Sequence, residues 1–569
     1  MRNKSLKNQL KAQFYRGNRL TFGFSVFAAL SVGSMALIVS WLMQQLIDAA
    51  GGATNAMPLG ALAWLTGGFM ILCVALKLLD YAFEPRFIEK AIRQYRDFAF
   101  QKLTEKSISS FRDESTATYL SALTNDAASV EADYLSQQLS VITNAVKFLG
   151  ALALMLWFSP LLTAIAAALT VLPMIASLLT GNRLQAAERR VSDRNRDFTA
   201  ALADCLSGFT VVKTFKAERE IVRLFAESNR ALEKEKFDRR RLKALVSLIG
   251  GMAGVAAQLG VLLAGAYLAL TGAGVTAGMV IMFVNLMNYV IAPIAQLPSL
   301  LSGRKAALGL IDRLAAALEK NVAPEGGARV SKLTRGITLE GVSFGYDGGR
   351  DVLRDISAEF EAGKAYAIVG GSGKSTLLHL LMAGSADYRG KIHLDDTEIR
   401  SVAPESLYEL ISVIQQNVFV FNASIRDNVT MFRDFPQDRL ESAIQHAHLR
   451  ELLTRRGEDS LCGENGNSLS GGEKQRISIA RCLLKRSSVL LADEATAALD
   501  AQTAHQVTND LLDLTGVTRI IVTHALEETL LRRYDRIYVL KDGRIDEAGK
   551  FEELMEKKGY FYALYTVSQ

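Results

Sequence analysis

Six apolar stretches dominate the first half of the chain, and they lie at 20–46, 58–80, 136–158, 160–181, 244–271 and 277–301. A helix needs about 20 mainly apolar residues to cross the hydrocarbon core of a bilayer. Each stretch meets that length, so the pattern predicts six membrane-spanning helices.

The connections between these stretches differ in charge and in length. Those at 47–57, 158–160 and 271–278 are short and contain no Lys or Arg, whereas 84–135 and 182–243 are long and rich in both. Basic connections remain on the cytoplasmic side of a membrane, so both termini are expected in the cytoplasm. The long connections contain many helix formers and few Gly or Pro, which predicts helical stalks that extend beyond the bilayer.

The pattern also divides the chain into four parts. Residues 1–19 mix basic and apolar side chains, which predicts an amphipathic helix on the membrane surface. The six stretches then form a transmembrane domain over 20–322, and a polar linker follows at 323–336. From 337 to 569, strand and helix patterns alternate as in a soluble α/β domain.

Composition agrees with a chain that is part membrane and part soluble. Hydrophobic residues make up 49% and charged residues 22% of the 569 positions, a balance too apolar for an ordinary soluble enzyme. The net charge is +6, and many of the basic residues flank the apolar stretches. That placement indicates membrane orientation rather than binding of nucleic acid, so no nucleic-acid partner is expected.

A glycine-rich loop between an apolar strand and an apolar helix carries the first candidate chemistry. After the strand at 365–369 the chain continues with Gly370, Gly371, Ser372, Gly373, Lys374, Ser375 and Thr376. Strand, glycine loop and helix is the arrangement in which backbone N–H groups and a helix N-terminus hold phosphate oxygens. The lysine then neutralises phosphate charge, and Ser375 is expected to bind Mg²⁺.

This loop is two residues shorter than the full phosphate-binding pattern. Ile368 stands where that pattern has its first glycine, and a β-branched residue does not readily take the backbone angles of glycine. Either the strand slides by two residues, which keeps its faces because the period is two, or the loop is tightened.

Two carboxylates follow a second apolar strand. The strand at 489–492 ends in Asp493 and Glu494. We expect Asp493 to help hold Mg²⁺ and Glu494 to polarise the attacking water. Adjacent carboxylates at a strand end fit a solvated turn equally well when they stand alone, but the upstream glycine loop favours the catalytic interpretation.

Together with the block Leu469-Ser470-Gly471-Gly472-Glu473, these motifs resemble the ATP-binding-cassette transporter family, specifically exporter half-transporters, over nearly the whole chain. The resemblance implies an α-helical transmembrane domain of the type I exporter kind, an α/β P-loop ATPase domain, and the cofactors ATP and Mg²⁺. It also implies roles around the nucleotide for further residues: adenine stacking by Tyr346; Mg²⁺ sensing by Gln416; nucleotide contact by the signature residues Ser470, Gly471, Gly472 and Glu473, with Glu where Gln is usual; an inter-subunit loop at Asp500; and γ-phosphate contact by His524.

By the same resemblance, each ATP lies between the glycine loop of one chain and the signature block of another. A second half-transporter, identical or homologous, is therefore the expected partner, and ATP binding and hydrolysis drive alternating access. The segments 206–215 and Thr124–Asp126 resemble the two cytoplasmic coupling regions. The expected location is a bacterial plasma membrane, with lipids around the spans.

On this resemblance, the short loop is a tolerated variant in a competent homodimer, part of a heterodimer with a strong and a weak site, or part of an altered chain that binds ATP poorly. Our prediction is retained ATP binding.

Two alternatives for the function also remain at this stage. The chain is a catalytically weak or regulatory half of a heterodimer, which the short loop favours and Glu494 opposes, or it is an importer of exporter-like fold. The cargo class also stays open between a small molecule, a lipid and a peptide. Lys147, near the middle of the third stretch, either pairs with an anionic cargo group or is an internally paired or snorkelling lysine.

Overall fold

The computed structural model describes residues 5–53, 56–112, 116–319, 327–346, 349–385 and 387–568; within its helices, the side chains of 112, 172–182, 185, 295 and 297–299 are not described. The chain divides into two compact units. The first comprises Met1–Thr104 and Ser115–Glu319, and the second comprises Glu105–Glu114 and Lys320–Gln569.

Up to Glu319, the regular elements of the described residues are helices. They are α1 Leu6–Gln13, α2 Arg19–Ala50, α3 Leu59–Thr104, α4 Ile108–Arg112, α5 Thr116–Leu123, α6 Asn125–Val130, α7 Gln137–Phe158, α8 Pro160–Ser207, α9 Phe209–Thr214, α10 Glu218–Leu270 and α11 Ala277–Glu319. A π-helical turn, Glu131–Ser136, joins α6 to α7.

The described residues contain five helical segments that are long and apolar enough to cross a membrane, namely Arg19–Ala50, Leu59–Thr104, Thr116–Phe158, Glu218–Leu270 and Ala277–Ile294. They overlap five of the six predicted stretches, the last of them as far as Ile294. The remaining stretch, 160–181, begins α8, where Pro160–Val171 is a shorter apolar segment. Its second half falls largely on side chains that the structure does not describe.

Helices also continue well past the apolar stretches, as the long connections predicted. The helices α3, α8 and α10 contain 46, 48 and 53 residues. At 1.5 Å per residue they are about 70–80 Å long, more than twice the thickness of a hydrocarbon core of about 30 Å. The first unit therefore has the long stalks expected of this fold class.

The N-terminal helix α1 packs against protein. Leu10 and Phe14 are fully buried, together with Phe87 and Tyr95 of α3. The rings of Phe14 and Tyr95 stack with their centroids 5.2 Å apart. The sequence predicted that the apolar side of this helix lies on the membrane surface. In the structure it packs against aromatic side chains of α3 within the first unit.

The short helix α4 and the predicted coupling segment Thr124–Asp126 belong to different units. The short helix α4 belongs to the second unit, where the Ile108 N–H donates to the hydroxyl of Tyr408 at 3.0 Å. By contrast, Thr124–Asp126 belongs to the first unit, and Asp126 forms an ion pair with Arg313 of α11. Thr124–Asp126 stays a prediction as the first coupling segment, and its Asp126 carboxylate is paired within the first unit.

The second unit is an α/β domain. Its strands are β1 Gly336–Phe344, β2 Leu353–Glu361, β3 Ala365–Gly370, β4 Arg389–Leu394, β5 Thr397–Glu398, β6 Ile411–Ile414, β7 Val489–Asp493, β8 Thr518–Val522, β9 Arg536–Lys541 and β10 Arg544–Gly549. Its remaining helices are α12 Lys374–Leu381, α13 Pro404–Leu410, α14 Ile425–Thr430, α15 Gln437–His446, α16 Arg450–Arg456, α17 Gly471–Lys485, α18 Ala501–Leu512, α19 Glu528–Leu531, α20 Phe551–Lys557 and α21 Tyr560–Ser568.

Two sheets organise this domain. The larger has the order β10-β9-β3-β8-β7-β6, and the smaller has the order β2-β1-β4-β5. In the larger sheet β3 pairs in parallel with β8 and β9, and β7 pairs in parallel with β6 and β8. Because parallel strands end at the same edge, the residues that follow β3, β6, β7 and β8 are brought together.

A buried carboxylate joins two helices of the first unit. Asp48, near the end of α2, accepts hydrogen bonds from the Thr276 hydroxyl at 2.8 Å and from the Gly278 N–H at 2.9 Å. These donors lie at the N-terminus of α11, where a negative charge is favourable. Gly278 is required there, because a Cβ would lie 2.4 Å from the Gln44 carbonyl oxygen.

We expect Asp48→Ala to destabilise the first unit by about 1–3 kcal/mol, because buried donors at the start of α11 lose their acceptor. Thermal unfolding of the purified protein in detergent measures the effect. The matched control is Asp193→Ala, which removes an exposed carboxylate paired with Arg196 on the same helix. Equal melting temperatures for the two variants would contradict the assigned role.

Candidate nucleotide site

The glycine loop is tightened, and the strand before it has not slid. The strand β3 ends at Gly370 and the helix α12 begins at Lys374, so three residues connect them. Ile368 keeps its place in the sheet opposite Val522 of β8. Of the two arrangements left open by the sequence, the structure has the shorter loop.

Two glycines make this turn possible. Gly370 and Gly373 have φ angles of +102° and +107°, which residues other than glycine rarely adopt. A Cβ on Gly370 would lie 2.2 Å from the Leu540 carbonyl oxygen. That same oxygen accepts a hydrogen bond of 2.7 Å from the Gly371 N–H. Gly370 therefore fills the role of the first loop glycine, two residues later than the usual spacing requires.

The loop retains the parts that bind an anion. The N–H groups of Ser372 and Gly373 have no acceptor within the described part of the chain. They precede the N-terminus of α12, where the helix dipole favours negative charge. The Lys374 ammonium lies inside the loop and donates to the carbonyl oxygens of Gly370 and Gly371 at 2.7 and 3.0 Å.

Burial lowers the pKa of Lys374, and the nearby carboxylates of Asp493 and Glu494 act in the opposite direction. Desolvation therefore disfavours the charged ammonium, and the two carboxylates favour it. A phosphate group that enters the loop offers Lys374 stronger acceptors than the two carbonyl oxygens, because a hydrogen bond to a charged acceptor is the stronger kind.

Asp493 has a free oxygen that suits a metal ion. It ends β7, and one of its hydrogen bonds comes from the Ser375 side chain. Its Oδ1 is buried and has no hydrogen-bond partner among the described residues. Burial raises the pKa of Asp493 more than the bond from Ser375 lowers it. Two neighbouring oxygen donors with one unsatisfied carboxylate oxygen match the ligands that Mg²⁺ prefers.

Glu494 is held by side chains from two other strand ends. Its Oε1 lies 3.0 Å from Nε2 of His524, and its Oε2 accepts a hydrogen bond of 2.7 Å from the Gln416 amide. His524 follows β8 and Gln416 follows β6, so the sheet order brings the three groups together. The backbone of Glu494 is in the left-handed region, with φ of +49°, and its N–H donates to Val522.

Gln475 is a site residue to which sequence reasoning assigned no role. Its buried side chain donates to the Glu494 carbonyl oxygen at 3.3 Å and accepts from the Ala498 N–H at 3.0 Å. An amide can donate and accept at once, so Gln475 connects the signature helix α17 to the loop after β7. The only signal in the sequence was its place within the signature block.

The signature residues are used locally in this chain. Ser470 caps α17 by accepting from the Glu473 N–H at 3.3 Å, and the Glu473 carboxylate accepts from the Ser470 N–H at 2.8 Å. Glu473 also pairs with Arg455. Burial opposes ionisation of Glu473, but the bonds from Ser470 and the charge of Arg455 prevail and lower its pKa. The carboxylate that replaces the usual glutamine therefore stabilises the helix start.

The glycines after Ser470 let a loop approach closely. A Cβ on Gly472 would lie 2.9 Å from the Ala498 carbonyl oxygen, and one on Gly471 would lie 3.3 Å from the Ala498 side chain. Asp500, in the same loop, caps α18 by accepting from the Thr503 N–H at 2.9 Å. The loop is thus fixed at both ends within one chain.

Tyr346 lies beside the start of α12. Its ring packs edge-on against Phe344 with centroids 5.0 Å apart, and its hydroxyl is 3.4 Å from the Thr376 hydroxyl. The side chain is 52% exposed, so a ring face remains open. An aromatic ring in that position can stack on a base whose phosphates lie in the glycine loop.

Comparison with known families follows the same division of the chain. The family described as "ABC transporter transmembrane region" matches residues 22–294, and the family described as "ABC transporter" matches residues 353–497. An uncharacterized ABC transporter ATP-binding protein of Bacillus subtilis, YwjA, is 31% identical over 83% of this chain and 83% of its own length. The chain belongs to the ABC transporter family. It has the organisation of a half-transporter, with one membrane domain and one ATP-hydrolysing domain.

Two further comparisons cover nearly the whole transporter chain. An ATP-dependent lipid A-core flippase of Chromohalobacter salexigens is 28% identical over 96% of this chain and 94% of its own. The solved structure of a bacterial Atm1-family ABC exporter with ATP bound superposes with a TM-score of 0.82 at 21% identity, covering 96% of this chain and 98% of the other. The fold is therefore that of an exporter.

We expect Asp493→Asn to have opposite effects with and without nucleotide. Because the pKa of Asp493 is raised, the folded state binds this proton more tightly than the unfolded state does. Ionisation of Asp493 as the pH rises through that pKa therefore lowers the stability of the fold. Removal of this charge should raise the melting temperature of the free protein by about 2–4 °C. The stabilisation added by ATP and Mg²⁺ together should be lost.

Thermal unfolding at neutral pH, with and without these ligands, measures both effects. The exposed carboxylate of Glu556 provides the control, because Glu556→Gln removes a charge far from β7 in the sequence. A variant at Asp493 that keeps the full response to ATP and Mg²⁺ would exclude it as a metal ligand.

Proposed function

We propose that the chain is a catalytically competent half of a dimeric exporter, in which hydrolysis of ATP with Mg²⁺ drives alternating access. The observation that carries this proposal is the Gln416–Glu494–His524 cluster, held within 3.0 Å at the edge of the sheet that also presents the glycine loop. A general base needs both a fixed position and a partner that holds it there, and Glu494 has both.

Each group has a place in the reaction. Ser375, Asp493 and Gln416 are the proposed Mg²⁺ ligands, and the ion supplies charge neutralisation at the phosphates. Lys374 binds phosphate oxygens together with the N–H groups of the loop. Glu494 accepts a proton from the attacking water, and His524, whose Nε2 lies beside that carboxylate, contacts the terminal phosphate.

Further contacts follow from the family resemblance. Tyr346 stacks on the adenine, and Gly370, Gly371, Ser372, Gly373 and Thr376 surround the phosphates. The signature residues Ser470, Gly471 and Gly472 contact the nucleotide of the opposite chain. Glu473 and Asp500 support this surface indirectly, because the structure uses both carboxylates to cap helices.

The shortened loop favours retained but weakened ATP binding. It keeps two free N–H donors, a helix N-terminus and the lysine, which are the main elements of a phosphate site. It lacks two of the backbone donors that a full loop provides. A second candidate, the regulatory half of a heterodimer, rests on this loss alone and is opposed by the intact Glu494 cluster.

The second chain should cover an exposed apolar tip. The segment Leu206–Phe215, which includes α9, exposes Leu206, Phe209, Val211 and Phe215 by 58–77%. A cluster of this kind on a polar stalk indicates a protein contact. We propose that the ATPase domain of the partner half-transporter covers it, with both termini in the cytoplasm of a bacterium and the spans in its plasma membrane.

The division into an N-terminal helix at 1–19, a transmembrane domain to 322, a linker to 336 and an ATPase domain to 569 is part of this proposal. Export is the proposed direction, and the importer alternative predicts the opposite vesicle result. Transport into inverted vesicles on addition of ATP supports export, whereas uptake by right-side-out vesicles loaded with ATP supports import.

We expect Glu494→Gln to lower the rate of ATP turnover by about 100-fold or more, because an amide cannot accept the proton of the attacking water. ATP affinity should change little, because the amide has the same size and can still form hydrogen bonds with its neighbours. Phosphate release and nucleotide binding by the purified protein separate the two quantities. The exposed Glu556→Gln variant is the control. Wild-type protein that shows no binding at millimolar ATP would refute a competent site.

We expect a proline–serine pair inserted between Gly370 and Gly371 to raise ATP affinity by about tenfold. Proline has no backbone N–H, so the gain comes from the N–H of the inserted serine, which can donate roughly one additional hydrogen bond to charged phosphate. Nucleotide titration of the insertion variant against the wild type measures this. An unchanged or lower affinity would indicate that the tight loop is already the fitted form.

A further inference from the structure

A charged cavity lies among the helices of the membrane domain. It has a volume of about 290 Å³ and is lined by α2, α3 and α7. Its ionisable side chains are Lys77, Asp80 and Glu84 of α3 and Lys147 of α7. Lys147 lies roughly 17 Å from the end of α7 at 1.5 Å per residue, near the middle of a hydrocarbon core of about 30 Å.

Two of these four charges neutralise each other. Lys77 and Asp80, one turn apart on α3, form an ion pair of 3.3 Å. Glu84 is one further turn along, where its side chain shares a hydrogen bond with Asp80. Neither Glu84 nor Lys147 has an ion pair in the described part of the chain. The Lys147 ammonium lies 5.9 Å from the Tyr289 ring, which is a weak contact for a charge within a membrane domain. Lys77 compensates only one charge of the Asp80–Glu84 pair, so the cavity has one spare cation, Lys147, on α7 and one excess negative charge on the two carboxylates of α3.

Neutral polar groups surround the spare cation. Asn144 and Ser140 line the cavity on α7, one and two turns before Lys147. A charge at this depth is costly, and such side chains usually mark the path of a substrate. An ammonium with adjacent hydroxyl and amide groups suits a phosphate or carboxylate, whereas Glu84 together with Asp80 suits an ammonium.

We propose that this cavity binds a zwitterion that has a primary ammonium and a phosphate or carboxylate joined by a short spacer. The anionic group contacts Lys147 and Asn144, and the ammonium contacts Glu84. The volume admits such a head group but little more, since ligand cavities for larger molecules exceed about 300 Å³. The proposal rests on the proposed transport function for its purpose and names the class of cargo.

The shared chemistry has two sources, the ethanolamine phosphate head of a lipid and a small soluble zwitterion. Calorimetric titration of the full-length protein in detergent, without ATP, compares dihexanoyl phosphatidylethanolamine, dihexanoyl phosphatidylglycerol and free phosphoethanolamine. We expect at least one ethanolamine compound to bind about tenfold more tightly than the phosphatidylglycerol, which has no ammonium. Binding of the lipid alone identifies a lipid cargo, and binding of the free compound identifies a soluble one.

Variants test the two ends of the cavity separately. Lys147→Met and Glu84→Gln should each weaken binding of the zwitterion about tenfold, because each removes one charged partner. The exchange Glu84→Lys with Lys147→Glu should restore most of the affinity, since the ligand can bind in the reverse direction. Arg194→Gln, which removes an exposed charge paired with Asp197, is the control and should bind as wild type.

The outcomes separate this proposal from the proposed function. Equal binding of phosphatidylglycerol, no binding of any of the three compounds, or full affinity in both single variants would overturn the zwitterion site. These results do not depend on ATP. A protein that binds the zwitterion but hydrolyses no ATP refutes the competent motor and leaves the cavity assignment in place.

Discussion

The order of strands in the larger sheet determines which side chains can meet in the ATPase domain. Since β3, β8, β7 and β6 run in parallel as neighbours, their carboxyl ends form one edge. The glycine loop, His524, the pair Asp493 and Glu494, and Gln416 follow those ends in turn. These groups are far apart in the chain, and the sheet alone brings them within hydrogen-bond distance. A parallel sheet buried on both faces is also rigid enough to hold Glu494 between two partners.

The same edge explains how the short loop remains usable. A phosphate cradle is defined by the strand that enters it and the helix that leaves it, and both are in place here. The missing residues are absorbed by Gly370 and Gly373, whose positive φ angles turn the chain in three residues. Lys374 stays inside the loop at the cost of desolvation, which lowers its pKa. The site is compact and still has the donors that attract phosphate.

In the membrane domain, the position of each ionisable group depends on whether it finds a partner of opposite charge or a hydrogen-bond donor. Most ionisable groups at membrane depth must be paired, because hydrocarbon offers no compensation. Asp48 satisfies this need by capping α11, which turns a buried charge into a link between helices. In the cavity, Lys147 and Glu84 have no ion pair in the part of the chain that the structure describes, so one cation and one carboxylate remain for a ligand. A structural role accounts for the first arrangement, and recognition accounts for the second.

The sequence by itself determined the parts that depend on local pattern. Apolar runs set the spans, and the turn at Ser159 and Pro160 was placed correctly because capping chemistry is local. The strand–loop–helix order and the two carboxylates indicated the nucleotide chemistry. Tertiary structure decided the rest. Only strand pairing showed that the loop is tightened, and only packing revealed the contacts of Gln475 and Glu473. Whether Lys147 is paired also depended on contacts between helices, which a one-dimensional pattern does not contain.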